Sequence, residues 1–424
     1  MKIATGIDFG TTNTTAAIAR PGEPPRIVPI EDNAPATPSA IFFAERTNRP
    51  FFGRAAVQKY MDDDSGRFMR SLKRILGTDI MGIGTNVNGR NVPFRALIGA
   101  FIKNVKSKLD AAAGEDVERV VMGRPVHFRD DDAAGDARAE KELEQIVQDA
   151  GFKEVLFQYE PIAAAFAHEP NLRTEQLAVV VDIGGGTSDF AVLRIGGPRA
   201  SHINRKDDIL AATGVRIGGN DFDRQLSLAS FMPEFGMGAE YNAGTVNHPK
   251  WLPVPNGYFF DLSEWSQVNS LYAYKNINMI NKYWLWSGHN EKLGRLVAVA
   301  ERALGHKVLA SVEDAKIALT NYDTHAARMD FISPEMTVMT TRAEFEKSIV
   351  TSAAKISASA RECLRLAGVS ADDIQLIILT GGSTEIPYIR DRLCGLFPNA
   401  ATSGDNRLSS VGLGLAFDAA RRFF

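Results

Sequence analysis

Two short passages carry residue types that can handle phosphate. "TGIDFGTTNTT" (residues 5–15) and "VVVDIGGGTSDFAVL" (179–193) each set one aspartate behind an apolar run, then bend through glycine and threonine. Glycine lets several backbone N–H groups converge on one anion, and threonine hydroxyls add donors. A carboxylate beside such a cradle repels phosphate unless a cation sits between them. Mg²⁺ suits that place, because it keeps most of its water: carboxylates hold the waters while phosphate oxygens take the remaining positions. Asp8 with Gly10, Thr11 and Thr12, and Asp182 with Gly184, Gly185, Gly186 and Thr187, therefore read as two halves of a magnesium–phosphate site. The chain has no G-x-x-x-x-G-K-[ST], which excludes a P-loop. It also lacks a G-x-G-x-x-G opening a helix, so a dinucleotide fold is unsupported; each bend leads into a second strand instead.

The elements around these bends follow from local pattern. β-Branched runs at 3–9 and 14–19 predict strands on either side of the first bend. "PRIVPI" and "SAIFFAE" add two short strands, and "RFMRSLKRILG" (67–77) reads as a helix closed by Gly77. Residues 93–114 form a clearer amphipathic helix, again ended by glycine, and 136–151 another. "EVLFQYEPIAAAF" is a strand running into a helix, with Pro161 near the helix start, where its missing N–H costs nothing. A second cycle then begins: strand, aspartate, bend and strand at 177–195, and helices at "GGNDFDRQLSLASFM", 311–321 and the long segment after Thr341. "IQLIILTGGSTEIPYIRDRL" gives a buried strand, a glycine turn and a helix, and "SSVGLGLAFDAARRFF" a last helix. The recurrence reads as an internal duplication of one α/β lobe, the two copies facing each other across a cleft, where ligands bind. Residues 231–290 break the pattern and hold all four tryptophans, Trp251, Trp265, Trp284 and Trp286. They read either as a small subdomain built on large aromatics or as a patch that docks a partner.

Composition bounds the rest. A chain of 424 residues is long for one core, and 45% hydrophobic with 23% charged residues is a globular balance. A net charge of −3 gives no electrostatic case for nucleic acid or membrane. Two cysteines make no disulfide framework, and no apolar run is long enough to span a bilayer, so a cytoplasmic protein is expected. The histidines lack metal-ligand spacing.

The set "IDFGTTNT", "EPIAAAF", "VVDIGGGTSDF", "IGGNDFD", "EDAKIAL" and "LTGGSTEIP" resembles the ATPase domain of the Hsp70 heat-shock chaperones, the DnaK type, within the actin and sugar-kinase superfamily. "GRPVHF" and "FQYEPIAAA" look closer still to its divergent YegD-like branch. The resemblance runs from residue 3 to about 420. It implies an α/β, actin-like ATPase (ribonuclease H-like) fold, with two duplicated lobes around a nucleotide cleft and a smaller subdomain on each. Lobe I would span 1–176 with a subdomain at about 36–115; lobe II would span 177–400 with an aromatic-rich subdomain at about 225–312. Residues 401–424 would be a helix returning to lobe I. The implied ligands are ATP or ADP and Mg²⁺. Thr11, Thr12 and Asn13, with Gly10, would form the first phosphate loop, and Gly184 to Thr187 the second. Asp8 and Asp182 would hold the metal's waters. Lys73 in "SLKRILG" matches the catalytic lysine, and Glu160 matches the acid near the attacking water. Pro125 matches a proline that relays nucleotide state. Gly218 and Gly219, then Glu313, Lys316 and Thr320 on one helical face, then Gly381, Gly382 and Ser383, would complete the nucleotide site. Read from the residues alone, Lys73 could also be a solvated helix lysine, Glu160 a helix-start carboxylate, and Glu313 with Lys316 a surface ion pair.

Four departures from the family pattern qualify this. The chain ends at Phe424, where the family continues into an apolar linker and a peptide-binding domain. Glu385 stands where an arginine usually stacks on adenine, Ile317 where many relatives carry a second basic stacking residue, and Asn220 where an acid is usual. The expected function is a slow, Mg²⁺-dependent ATPase of chaperone type. The alternatives are a nucleotide-gated module docking a protein at 231–290, or a small-molecule kinase of the same superfamily.

Overall fold

The structure is a computed structural model. It describes all residues except 1–2, 32, 46–48, 63–65, 130–131, 203–204 and 404–408. The chain folds as two compact units, one of residues 1–219 and 353–424, the other of residues 220–352.

The first unit contains two sheets built to one plan. In the first, β1 (Ala4–Phe9) runs antiparallel to β2 (Asn13–Arg20), which pairs antiparallel with β3 (Glu23–Ile27). On its other edge β1 pairs parallel with β4 (Arg119–Arg124), and β4 with β5 (Glu154–Tyr159). The second sheet repeats this sense and order with β6 (Gln176–Ile183), β7 (Ser188–Ile195), β8 (Ile209–Val215), β9 (Leu376–Thr380) and β10 (Ala401–Ser403). β1 and β6 are central, apolar and buried on both faces, each between one antiparallel and one parallel neighbour. Both aspartates sit one residue before the end of their strand. This is the mixed α/β architecture of the actin-like ATPase fold.

Helices close the layers. α1 (Phe94–Ala113) and α2 (Ala133–Asp149) bury Leu97, Phe101, Leu143 and Ile146 in one core with Ile7 and Val120. α1 ends at Gly114 in the left-handed conformation that favours glycine. α3 (Glu160–His168) follows β5, and α7 (Ser410–Phe423) follows β10. α7 packs on α3 and on β1 at contacts closed to any side chain. A Cβ on Gly414 would lie 1.6 Å from the Ala163 carbonyl oxygen, and one on Gly6 would lie 2.3 Å from the Ala416 nitrogen. These approaches fix where Asp8, at the end of β1, stands relative to Glu160, at the start of α3.

One expectation fails. Residues 67–77 are not a helix: Gly66–Arg70 is a strand paired with Ala40–Ala44, and only Leu72–Ile75 coils, as a 3₁₀ turn. Ser71 takes φ 60°, which breaks any helical run. Pairing with the apolar "AIFFA" strand overrides the local helix preference.

The second unit begins within α4 (Gly219–Leu226) and contains α5 (Gly305–Asn321). α6 (Arg342–Ala367) starts there and continues into the first unit. At its start the Thr341 hydroxyl accepts the Glu344 N–H at 3.2 Å, as the capping pattern anticipates. The aromatic segment divides. Trp265 is buried beside His306, and Tyr241 packs on Tyr283 and Trp286, while Trp251 and Trp286 are about half exposed. No helix among the described residues is long and apolar enough to cross a membrane.

Candidate active site

The bends at the ends of β1 and β6 touch. A Cβ built on Gly186 would lie 2.7 Å from the Thr11 hydroxyl oxygen, so the second bend approaches the first as closely as glycine permits. The first bend is tight, since a Cβ on Gly10 would meet the Asn13 carbonyl oxygen at 2.2 Å. It is braced by Ser39, whose hydroxyl donates to the Gly10 carbonyl at 2.7 Å and whose N–H donates to Thr12 at 2.8 Å. The second bend closes through Gly184 N–H to the Thr187 carbonyl at 3.0 Å. Two further segments support it. Gly219 N–H donates to Gly184 at 2.9 Å, with Gly218 against the Gly185 backbone, and the Ser383 hydroxyl donates to the same Gly184 carbonyl at 3.3 Å. Gly381 has φ +79° and would place a Cβ 2.9 Å from an Asp182 carboxylate oxygen, so only glycine fits there. Gly382 opens the 3₁₀ turn that follows. Replacing Gly186 by alanine is expected to push Thr11 aside and weaken Mg·ATP binding at least roughly tenfold with little change in melting temperature. Calorimetry with a parallel melting curve checks it, and unchanged affinity would contradict the contact's role.

Charged groups gather at the same place. Lys73, on the 3₁₀ turn, is buried and donates to Glu160 at 2.5 Å. It is therefore not a solvated lysine. Around this pair lie three more carboxylates, the half-buried Asp8 and the buried Asp182 and Asp189. Burial, then the Glu160 charge, pushes Asp8 up to about 7, with Lys73 pulling it back. Burial and Glu160 push Asp189 up to about 7 as well. Asp182 is driven well above the usual carboxylate range by burial, then by Glu160, Asp189 and Asp8. Burial alone would lower the Lys73 ammonium, but the Glu160 and Asp8 carboxylates outweigh it and raise its pKa. Burial is the larger cause of these raised pKa values and the neighbouring carboxylates the next, with Lys73 opposing them. A divalent cation fits this cluster. Among the described residues, no three His, Cys, Asp or Glu side chains stand close enough together to ligate a metal directly.

Asp189 escaped the sequence reading. The signal was present, because a four-residue bend puts Asp189 opposite Asp182 in the β6–β7 register, where the first repeat pairs Asp8 with Thr15. Asp189 accepts the Val126 N–H at 2.8 Å. Ser39 gave no local signal, since it arrives through the pairing of Thr37–Pro38 with β2.

Glu313, Lys316 and Thr320 lie on α5 in the second unit, at spacings that share a face. Lys316 is paired at 2.7 Å with Asp223 of α4, a buried acid that the sequence reading did not single out. Thr320 turns its hydroxyl back to the Lys316 carbonyl at 3.3 Å. Ile317 is 56% exposed on the same helix.

Comparison with protein-family models agrees with this architecture. A model described as MreB/Mbl protein matches residues 95–231, so that stretch is similar to proteins of that description. A model described as Hsp70 protein matches residues 4–99 and 289–421, more than half of the chain, including β1 to β3, β9 and β10. That membership implies ATP binding and hydrolysis. With its paired sheets, touching bends and acid cluster, the chain belongs to the Hsp70 family.

Proposed function

We propose that this protein is a nucleotide switch of chaperone type that binds ATP with Mg²⁺ and hydrolyses it slowly. The observation that carries the reading is the contact between the Gly186 and Thr11 bends beside the buried Lys73–Glu160 pair and its surrounding acids. The reaction is in-line attack of water on the γ-phosphate, forming a new P–O bond as the bond to the ADP oxygen breaks. Such catalysis rests on positioning and charge neutralisation rather than on a covalent nucleophile. The N–H groups and hydroxyls of residues 10–13 and 184–187 would hold the phosphate oxygens. The Lys73 ammonium, held in place by Glu160, would neutralise charge growing on the γ-phosphate and steady the attacking water. Asp8 and Asp182 would hold magnesium's waters, and one of them would orient the nucleophile. Bound there, magnesium supplies charge neutralisation between the phosphates. Gly218, Gly219 and Gly381 to Ser383 would back the nucleotide.

Phosphate release from ATP with no added acceptor tests this reading. Slow, stoichiometric conversion to ADP and phosphate is expected; conversion that waits for an added sugar or carboxylic acid would make the protein a kinase. Base selectivity should be shallow, because Glu385 and the exposed Ile317 cannot stack on adenine as arginine does. ATP and GTP are expected to bind within roughly tenfold of each other by calorimetry, that factor being about 1.4 kcal/mol. A hundredfold adenine preference would contradict it.

The exposed Trp251 and Trp286 favour a second reading, in which nucleotide gates a protein-docking surface at 231–290. Acrylamide quenching of tryptophan fluorescence should then differ between the ATP-bound and free protein; identical quenching would remove this reading.

A further inference from the structure

The "GRPVHF" segment leads from β4 directly to the acid cluster, and it contains an arginine that the proposed chemistry does not use. Arg124 is nine-tenths buried. Its guanidinium lies over the Phe128 ring at 5.1 Å and the Tyr159 ring at 5.3 Å. It donates forward along its own chain, to the Pro125 carbonyl at 3.0 Å and the Val126 carbonyl at 3.2 Å. It also donates sideways to two acids of α2, to Asp136 at 2.7 Å and to Glu140. Asp136 in turn accepts the Phe128 N–H at 2.5 Å. The planar fork thus ties both carbonyls of the Pro125–Val126 turn to one helix. The one backbone group of that turn aimed the other way, the Val126 N–H, donates to Asp189 at 2.8 Å. Asp189 faces Asp182 across β6 and β7. Lysine is a point charge and cannot span two carbonyls and two carboxylates at once.

We infer that Arg124 is a positioning residue: it clamps the Pro125–Val126 turn so that the Val126 N–H holds Asp189 at its place in the site. The effect on turnover rests on the ATPase reading above; the clamp itself does not.

The test uses the full chain with Arg124→Ala and Arg124→Lys, and reads two quantities. Amide hydrogen exchange at Val126 is expected to speed up at least roughly tenfold in both variants, as a lost local constraint requires. Exchange along the interior of β4 should stay protected. Single-turnover hydrolysis at saturating ATP is expected to slow about tenfold while ATP affinity moves less than about twofold, the split that misplacement without lost binding produces. Added guanidinium should restore part of the rate of the alanine variant. If that variant does not fold, the lysine variant decides both arms. Unchanged Val126 exchange overturns the clamp. Faster exchange with an unchanged rate, or a rate and affinity that fall together, overturns its role in positioning Asp189. A wild-type chain that turns over no ATP defeats the ATPase reading and the positioning of a catalytic site with it, while the exchange arm still decides whether Arg124 holds the turn.

Discussion

Replacing Lys73 by alanine is expected to lower single-turnover ATP hydrolysis by roughly 10²–10³-fold while leaving Mg·ATP binding within about an order of magnitude. The ammonium is buried, donates to Glu160 at 2.5 Å, and opposes the rise in pKa of Asp8, Asp182 and Asp189. Charge placed where it develops in the transition state matters more to the rate than to binding, because the ground-state nucleotide already has the donor bends and the metal. Removing Lys73 also leaves Glu160 without its counter-ion, so stability should fall too, and the rate must be read on protein shown to be folded. Lys73→Arg keeps the charge but not the reach, and should recover only part of the rate. Quenched-flow measurement of ADP formation checks the prediction. A rate within threefold of wild type would mean that Lys73 is structural.

The second large effect joins pH, stability and magnesium. In chelator, the protein is expected to lose stability as pH rises from about 4 to 7. Asp8 and Asp189 each keep a proton in the folded state up to about 7, against 3.8 for the ordinary group. Between those values the unfolded chain has released protons that the folded chain still binds, so the free energy of unfolding falls with rising pH. Below the window both states are protonated, and above it the full cost is present. Magnesium binds the ionised form, so it should stabilise the protein more at pH 8 than at pH 5. Asp8→Asn should flatten the profile and raise stability at pH 8 in chelator, while abolishing magnesium's stabilising effect. Urea midpoints at four pH values, with and without Mg²⁺, decide it. Equal slopes for wild type and Asp8→Asn would show that the cluster does not carry this proton linkage.

The parts of the site written in contiguous sequence were legible. Both bends, both strand-end aspartates and Glu160 at a proline-led helix start have local signatures, because each lies within one contiguous run of the sequence. The duplication was legible for the same reason: the two cycles repeat one order of patterns, and the sheets repeat one order of strands. What distant chain segments bring was not. Lys73 was expected on a helix, yet it lies on a 3₁₀ turn after a strand that forms only because Ala40–Ala44 is there to pair with it. Ser39 braces the first bend from a segment with no motif of its own. Asp189 needed the hairpin register, and Asp223 needed the packing of α4 against α5. The tryptophan segment divided between core and surface, which spacing alone does not decide because the same aromatics serve both.

Calorimetric titration of ATP into the wild-type chain and into Asp8→Asn/Asp182→Asn, each with Mg²⁺ and with chelator, bears most directly on whether the two bends grip a hydrated cation and a polyphosphate together. Binding by the wild type should tighten at least roughly tenfold, about 1.4 kcal/mol, when Mg²⁺ replaces chelator, and the double variant should show no such gain. Wild-type affinity that ignores magnesium, or a double variant that keeps the full magnesium effect, would contradict the account.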